Sequence, residues 1–257
     1  MRAPNPGPMT LSGTNTWLIG TPAWVIDPGP SEPAHVERVW DAARARGGVA
    51  GIVLTHNHLD HSQSAPALRA RSGAPVAAGA PAHAGDGRFA EPALDQLEPD
   101  TLLRDGDAVG PFEVIATPGH SADHVSLLTD GLLFCGDTVL GEGSVFIPPG
   151  GGSLSAYLDS LRRLSVLALE ALCPGHGPVV WDPAAKLREY LEHRLERERR
   201  LLDALGRGLR SAAELLDDVW DDAPEALRPA AALTLESHLD KLAQEGRLPR
   251  DVERLVL

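Results

Sequence analysis

The chain has 257 residues, 43% of them hydrophobic and 23% charged, enough apolar material for one large domain or one domain with a smaller companion, and too much for a disordered chain. Its formal net charge is −13, and of 23 basic residues only Lys186 and Lys241 are lysine; this excludes a generally basic nucleic-acid binder but allows a metal site that brings its own positive charge. No run approaches the roughly 20 apolar residues of a membrane span, MRAPNPGPMTLSG at the start has no apolar signal core, and Cys135 and Cys173 give no disulfide framework, so a reducing cytoplasm is the expected compartment.

In chain order, Asn15–Gly20 and Ala23–Asp27 read as two strands joined by a Thr21-Pro22 turn. Glu32–Arg46 is a helix, with Val36, Val39 and Ala43 at helical spacing and Gly47-Gly48 as its stop. Gly51–Leu54 is a short buried strand followed by a THNHLDH loop, and Ser62–Ser72 is a helix ended by Gly73. Val76–Ala78, Phe112–Ala116, His124–Thr129 and Leu132–Cys135 are further strands, the last two joined by an Asp130-Gly131 hairpin turn. Leu154–Leu164 is a helix, and Ala171–Cys173 a strand that ends at ProGlyHisGly. From Ala184 onward the pattern turns helical: Leu187, Leu191, Leu195, Leu202 and Leu205 share a face, Ser211 with Glu214 forms a capping box, and Pro224 opens a helix that runs to Glu245. The tail, residues 247–257, reads as one short hairpin. The expected division is residues 1–180 and 181–257.

The ten histidines are unevenly placed. His56, His58 and His61 fall within six residues with Asp60 beside them, H-x-H-x-D-H, just past a strand's C-terminal end, where open α/β sheets gather their sites. Imidazole and carboxylate are ligands that suit zinc and related divalent ions. Three more positions follow strands in the same way: His120 in TPGHS, Asp137 in FCGDT and His176 in CPGHG. Each is flanked by glycine, which lets backbone approach closely. Seven such ligands are too many for one tetrahedral ion and suit two ions a few ångströms apart, bridged by Asp137.

The succession H-x-H-x-D-H, His, Asp, His resembles the metallo-β-lactamase superfamily. The resemblance implies an α/β fold, a four-layer αβ/βα sandwich with its metal site at one end of two packed sheets. It implies His56, His58 and His120 for a first ion and Asp60, His61 and His176 for a second, with Asp137 between. His58 stands where the redox diiron branch has Glu, and Asp137 where thiolate-using β-lactamases have Cys; both point to hydrolysis outside those branches. GTNTWLIG, IDPG, THNHLDHS, FCGDTVLGEG and PGHGPVV followed by KLREYLEHRLERE are similar to the β-lactamase-like protein two endoribonuclease family, whose hydrolase domain carries a small C-terminal helical, winged-helix-like domain. SHLDKLAQEGRL fits that module. The likeness covers most of residues 13–248 and thins at 80–104 and at the Pro-Gly loop 145–153.

Two divalent ions, zinc foremost, sharing a water would deliver hydroxide at neutral pH. Asp60 would orient that nucleophile and shuttle its proton. His124 is a candidate to protonate a leaving group or touch a phosphate and, equally, an orienting strand histidine. The expected function is a binuclear metal-dependent hydrolase that cleaves single-stranded RNA, an endoribonuclease. The alternatives are a glyoxalase-II-like hydrolase of small esters or thioesters and, from another class, a winged-helix regulator with a metal-containing sensor domain. Against RNA stands the charge of −13. Against DNA reading stand Glu236, Asp240 and Glu245 on the last helix, so the C-terminal module is expected to position substrate or mediate a homodimer. Cys135 and Cys173 read as core. His35, His83, His193 and His238 read as isolated surface or structural residues, and Asn15 and Asp27 as turn residues near the site. The arginines from Arg194 to Arg210, set among Glu and Asp, read as a solvated helix, or more sharply as an RNA-guiding face.

Overall fold

The computed structural model describes residues 1–82 and 98–254. Strands β1 (Trp17–Ile19), β2 (Ala23–Ile26), β3 (Val49–Leu54), β4 (Val76–Gly79) and β5 (Thr101–Leu103) pair in chain order, β1 antiparallel to β2 and the rest parallel. Parallel neighbours need crossovers. Helix α1 (Pro33–Ala45) links β2 to β3, and short α2 (Leu59–Ser62) with α3 (Ala65–Ser72) links β3 to β4. A second sheet has the order β10-β9-β8-β7-β6, from β6 (Ala108–Val109), β7 (Phe112–Ala116), β8 (Val125–Thr129), β9 (Leu132–Gly136) and β10 (Ala171–Pro174). Its pairs are antiparallel except β9 with β10, which are joined across α4 (Leu154–Leu164).

The two-residue period of the strands sorts side chains into layers. On β3, Val53 points between the sheets, whereas Ile52 and Leu54 pack with Val39 of α1 and Leu68 of α3. On β9, Phe134 points between the sheets, and Leu133 and Cys135 pack with Tyr157, Leu158 and Leu161 of α4. Cys173 belongs to the inter-sheet core, so the two thiols are buried in different cores and both are free. Trp17, Phe112 and Phe134 meet edge to face in the middle, with centroids 5.7 and 5.9 Å apart. This is the four-layer αβ/βα sandwich expected from the sequence.

Helix α5 (Pro183–Gly206) begins at Asp182, whose carboxylate accepts from the Ala185 N–H, with Pro183 in the first turn. Its 24 residues span roughly 36 Å. Leu187 and Tyr190 near its start join the outer core of the second sheet, while Leu201, Ala204 and Leu205 near its end pack with α6 (Ala212–Val219) and α7 (Arg228–Gln244). The Ser211–Glu214 capping box forms at the start of α6. A 3-10 turn, Glu225–Leu227, precedes α7 where one continuous helix was expected. No strand forms among the described residues 247–254, so the expected hairpin is absent from them. Glu253 N–H donates to the Arg210 carbonyl between α5 and α6, and Arg254 grips Glu236 and Asp240 of α7, so the tail is held by the helical region without strand pairing. His83 lies outside the described residues. Among them, no helix is long and apolar enough to cross a membrane.

Candidate metal centre

The C-terminal ends of β3, β7, β9 and β10 come together at one edge of the sandwich, and the segments that follow them, loops and the short helix α2, carry all seven expected ligand residues. His56, His58 and His120 form one group of donor atoms, and Asp60, His61 and His176 another. Asp137 forms a third group with His56 and His61. The donors are closely spaced: His58 Nδ1 to His120 Nε2 is 3.1 Å, His61 Nε2 to His176 Nε2 is 3.3 Å, and Asp60 Oδ2 lies 3.3 Å from His61 Nε2 and 3.2 Å from His176 Nε2. Two ligands on one tetrahedral zinc, each at 2.0–2.1 Å, stand about 3.3 Å apart. Asp137 lies between the groups, Oδ1 being 3.5 Å from His61 Nε2 and Oδ2 3.3 Å from His176 Nε2 and 3.8 Å from His120 Nε2.

His56, His61 and His120 are each aimed by a partner on the far side of the ring, as metal-binding histidines are. His56 lies 3.0 Å from Thr55 Oγ1, whose own proton goes to Asp27 Oδ2, so His56 Nδ1 is the donor and Nε2 the bare nitrogen. That Nε2 is buried without a hydrogen-bond partner, the kind of orphan a cation would satisfy. His61 Nδ1 lies 3.0 Å from Asp27 Oδ2, and Asp27 Oδ1 accepts from the Thr55 N–H at 2.8 Å. His120 Nδ1 donates to the Phe146 carbonyl at 2.7 Å. Thr14 donates to Asp60 Oδ2 at 3.1 Å, and Asn15 Nδ2 donates to the carbonyls of Pro174 and Gly177, fixing the loop that carries His176. Gly175 is glycine for space: a Cβ there would lie 2.3 Å from Asp137 Oδ1 and 2.6 Å from His61 Cε1.

Electrostatics match the donor chemistry. Burial by itself would raise the carboxyls of Asp60 and Asp137, but the imidazoles of His61 and His176 more than reverse that and hold both well below the usual carboxylate range. Burial lowers His61 and His176, yet the surrounding carboxylates win, lifting His61 well above the ordinary imidazole range and His176 to about 9. Burial and the neighbouring histidines push His56 far down, leaving it neutral. The centre therefore holds paired negative charge that a proton or a cation must balance.

His124 is placed differently. It is 1% exposed, its Nε2 accepts from the Asp137 N–H at 3.1 Å, and its Nδ1 therefore bears the proton, facing Thr117 Oγ1 at 2.9 Å. It lies behind Asp137, and of its two readings from the sequence, a leaving-group acid or an orienting strand histidine, this packing favours the second. The cleft itself, about 630 Å³, has His58, Asp60, His120, Asp137 and His176 at one end. The C-terminal region lines it too, through His193, Arg194 and Arg197 of α5, Trp220, and Ala230 and Thr234 of α7. Sequence reasoning overlooked Thr14, Thr55 and Thr117, single hydroxyls with no spacing signal. It also overlooked the Phe146 carbonyl, which as backbone has no sequence signature.

A model of the metallo-beta-lactamase superfamily matches residues 9–176, and one described as a beta-lactamase associated winged helix domain matches residues 211–253. The chain is 32% identical to a beta-lactamase-like protein 2 homolog of Drosophila melanogaster, over 95% of this chain and 87% of the fly protein. A metallo-beta-lactamase family protein from Thermus thermophilus has a TM-score of 0.76 at 24% identity, over 95% of this chain and 92% of that one. A protein solved in a di-iron-bound form is 29% identical with a TM-score of 0.55, over 76% of this chain and 97% of that one.

Proposed function

The chain belongs to the metallo-beta-lactamase superfamily, and from that premise we propose that it is a two-cation hydrolase of compact esters or thioesters with an apolar body. The observation that carries the cation pair is the donor spacing around the orphaned His56 Nε2. Divalent cations held there, zinc, manganese or iron by donor type, would supply Lewis acidity and a water acidified to near neutrality.

The protein's own residues do the rest. His56, His58 and His120 would hold one cation and Asp60, His61 and His176 the other, with Asp137 placed between the two groups. Asp60 stays ionised, is fixed by Thr14, and faces the cleft with its side chain 29% exposed, so it is placed to orient the nucleophile through a hydrogen bond. His124 positions Asp137 through the backbone N–H.

The cleft wall supports the substrate class. Leu11, Leu140, Phe146, Trp220 and Leu227 line it. The two guanidiniums on that wall are already held from within, Arg194 by Ser144 Oγ and the Val145 carbonyl and Arg197 by both oxygens of Asp222. A polyanion such as RNA normally recruits unengaged basic side chains. RNA phosphodiester cleavage, the reading that the endoribonuclease resemblance favours, keeps one supporting feature: Phe146 and Trp220 border the cleft, and bases stack on aromatic faces. The regulator reading has less support, because α7 buries Leu235, Glu236, Ser237, His238 and Leu239 and so has little face left to read DNA. The test offers zinc- or manganese-loaded protein an acyl thioester, bis-p-nitrophenyl phosphate, labelled single-stranded RNA and a chromogenic cephalosporin. Thioester turnover, lost with chelator and in Asp60→Ala, is expected; RNA cleavage without thioester turnover would overturn the substrate class.

A further inference from the structure

Three consecutive carbonyls in the loop after Asp137 are each taken by a different element. Arg194 of α5 donates through Nη2 to Ser144 Oγ at 3.0 Å and to the Val145 carbonyl. His120 Nδ1 donates to the Phe146 carbonyl at 2.7 Å. Ser237 of α7 donates to the Ile147 carbonyl at 2.8 Å. Carbonyls 145 and 147 are thus held from the C-terminal helices, while carbonyl 146 between them is held by the imidazole of His120.

The same loop is fixed upstream from the same side. Tyr157 of α4 donates to the Thr138 carbonyl at 2.7 Å, and the Tyr190 hydroxyl of α5 accepts from the Leu140 N–H at 3.1 Å and donates to the Gly143 carbonyl at 2.9 Å. Residues 138–147 thus run from one ligand, Asp137, to the carbonyl that orients another, His120, along side chains of α4, α5 and α7. All these partners are buried: Tyr157, Tyr190, Arg194 and Ser237 are each under 4% exposed. An orienting carbonyl on a metal-binding histidine fixes its tautomer and ring direction, and losing such a partner costs metal affinity.

We propose that the C-terminal helices are part of the metal centre's positioning machinery: Arg194 and Ser237 clamp segment 144–147 so that the Phe146 carbonyl holds His120 in its cation-binding tautomer. This rests on the two-cation reading of the site. Ser237 and Arg194 are positioning residues, since neither is a candidate ligand. The coupling is reciprocal by linkage: a cation on the His56–His58–His120 group tightens the docking of α7, and loosened docking of α7 weakens that cation.

The test uses the full-length chain. Metal-free wild type, Ser237→Ala and Ser237→Thr are titrated with Zn²⁺ and Co²⁺ against a competing chelator, and cobalt absorption reports the ligand geometry. Ser237→Ala should bind one of its two cations about fivefold more weakly, the effect of one lost hydrogen bond, with an altered cobalt spectrum. Ser237→Thr, which keeps the hydroxyl, should restore both. In the wild type, hydrogen exchange across α7 should slow on cation loading; this measurement decides the matter if Ser237→Ala does not fold. Wild-type affinity and spectrum in a folded Ser237→Ala, or α7 exchange indifferent to cations, would overturn the coupling. A wild type that takes up fewer than two cations would overturn the metal reading instead.

Discussion

His61 Nε2 and His176 Nε2 stand 3.3 Å apart although 115 positions separate them in the chain. Burial by itself would strip both rings of their extra protons. The carboxylates of Asp60, Asp137 and Asp27 hold proton there regardless, with His176 at about 9 and His61 well above its ordinary range. A pair of basic nitrogens facing each other among carboxylates is a cation site that is filled by protons when no metal is bound.

Asp60 and His58 are the most accessible members of the cluster, neither of them fully buried. Asp60→Ala and His58→Ala should each reduce turnover by about 10²-fold or more, the scale of a general base or a metal site, while the melting temperature stays within a few degrees of wild type. Turnover assays paired with circular-dichroism melts check this; full activity in either variant contradicts the assigned roles.

His124 acts on Asp137 without touching substrate. His124→Ala leaves the buried Asp137 N–H without its partner, a cost of about 1–3 kcal/mol in unfolding free energy. The rate should fall while the pH–rate profile keeps both of its limbs, since no titrating acid is removed. Loss of the alkaline limb alone would show that His124 donates a proton.

Gly175→Ala tests the space between the groups. Its methyl would stand 2.3 Å from Asp137 Oδ1, so Asp137 must move. Metal analysis of the purified variant should find fewer than two cations per chain. Full occupancy with unchanged activity would show that Asp137 need not occupy the position between the groups.

Most of the centre was legible because its ligands are dense in H-x-H-x-D-H, and the others each follow an apolar strand with glycine alongside. Residues recognisable only by their tertiary contacts were not. The Phe146 carbonyl carries no side-chain signal. Arg194 and Arg197 look in sequence like Arg199, yet Arg199 pairs on the surface with Glu196 and Asp203 whereas Arg194 and Arg197 are buried against the hydrolase loop and Asp222. Helical periodicity placed α5 but could not say that its polar stripe faces a cleft. Strands β5 and β6, of three and two residues, are too short for a period-two pattern to register.

Stability of the metal-free protein should peak near pH 6.5. Burial, with Arg38 and the N-terminal ammonium, holds His35 at about 4, and burial with Arg194 and Arg197 does the same for His193. Unfolding returns both to about 6.5, so the unfolded chain binds more protons between pH 4 and 6.5 and stability falls as pH falls through that range. His176 has the opposite sign: raised to about 9, its contribution is complete below pH 6.5 and is lost as pH rises toward 9. Urea unfolding at pH 5, 6.5 and 8.5 measures both slopes, and cation loading should remove the alkaline one. An alkaline decline of equal size in the loaded protein would contradict this assignment.

The most direct measurement is titration of the metal-free chain with Zn²⁺ at pH 7.5, reading ions bound and protons released together in buffers of differing ionisation enthalpy. Two ions per chain are expected, with release of at least about one proton from the His61–His176 pair, and one ion fewer in His176→Ala. A wild-type chain that binds one ion or none, or that binds metal without releasing protons, would contradict the paired-cation site.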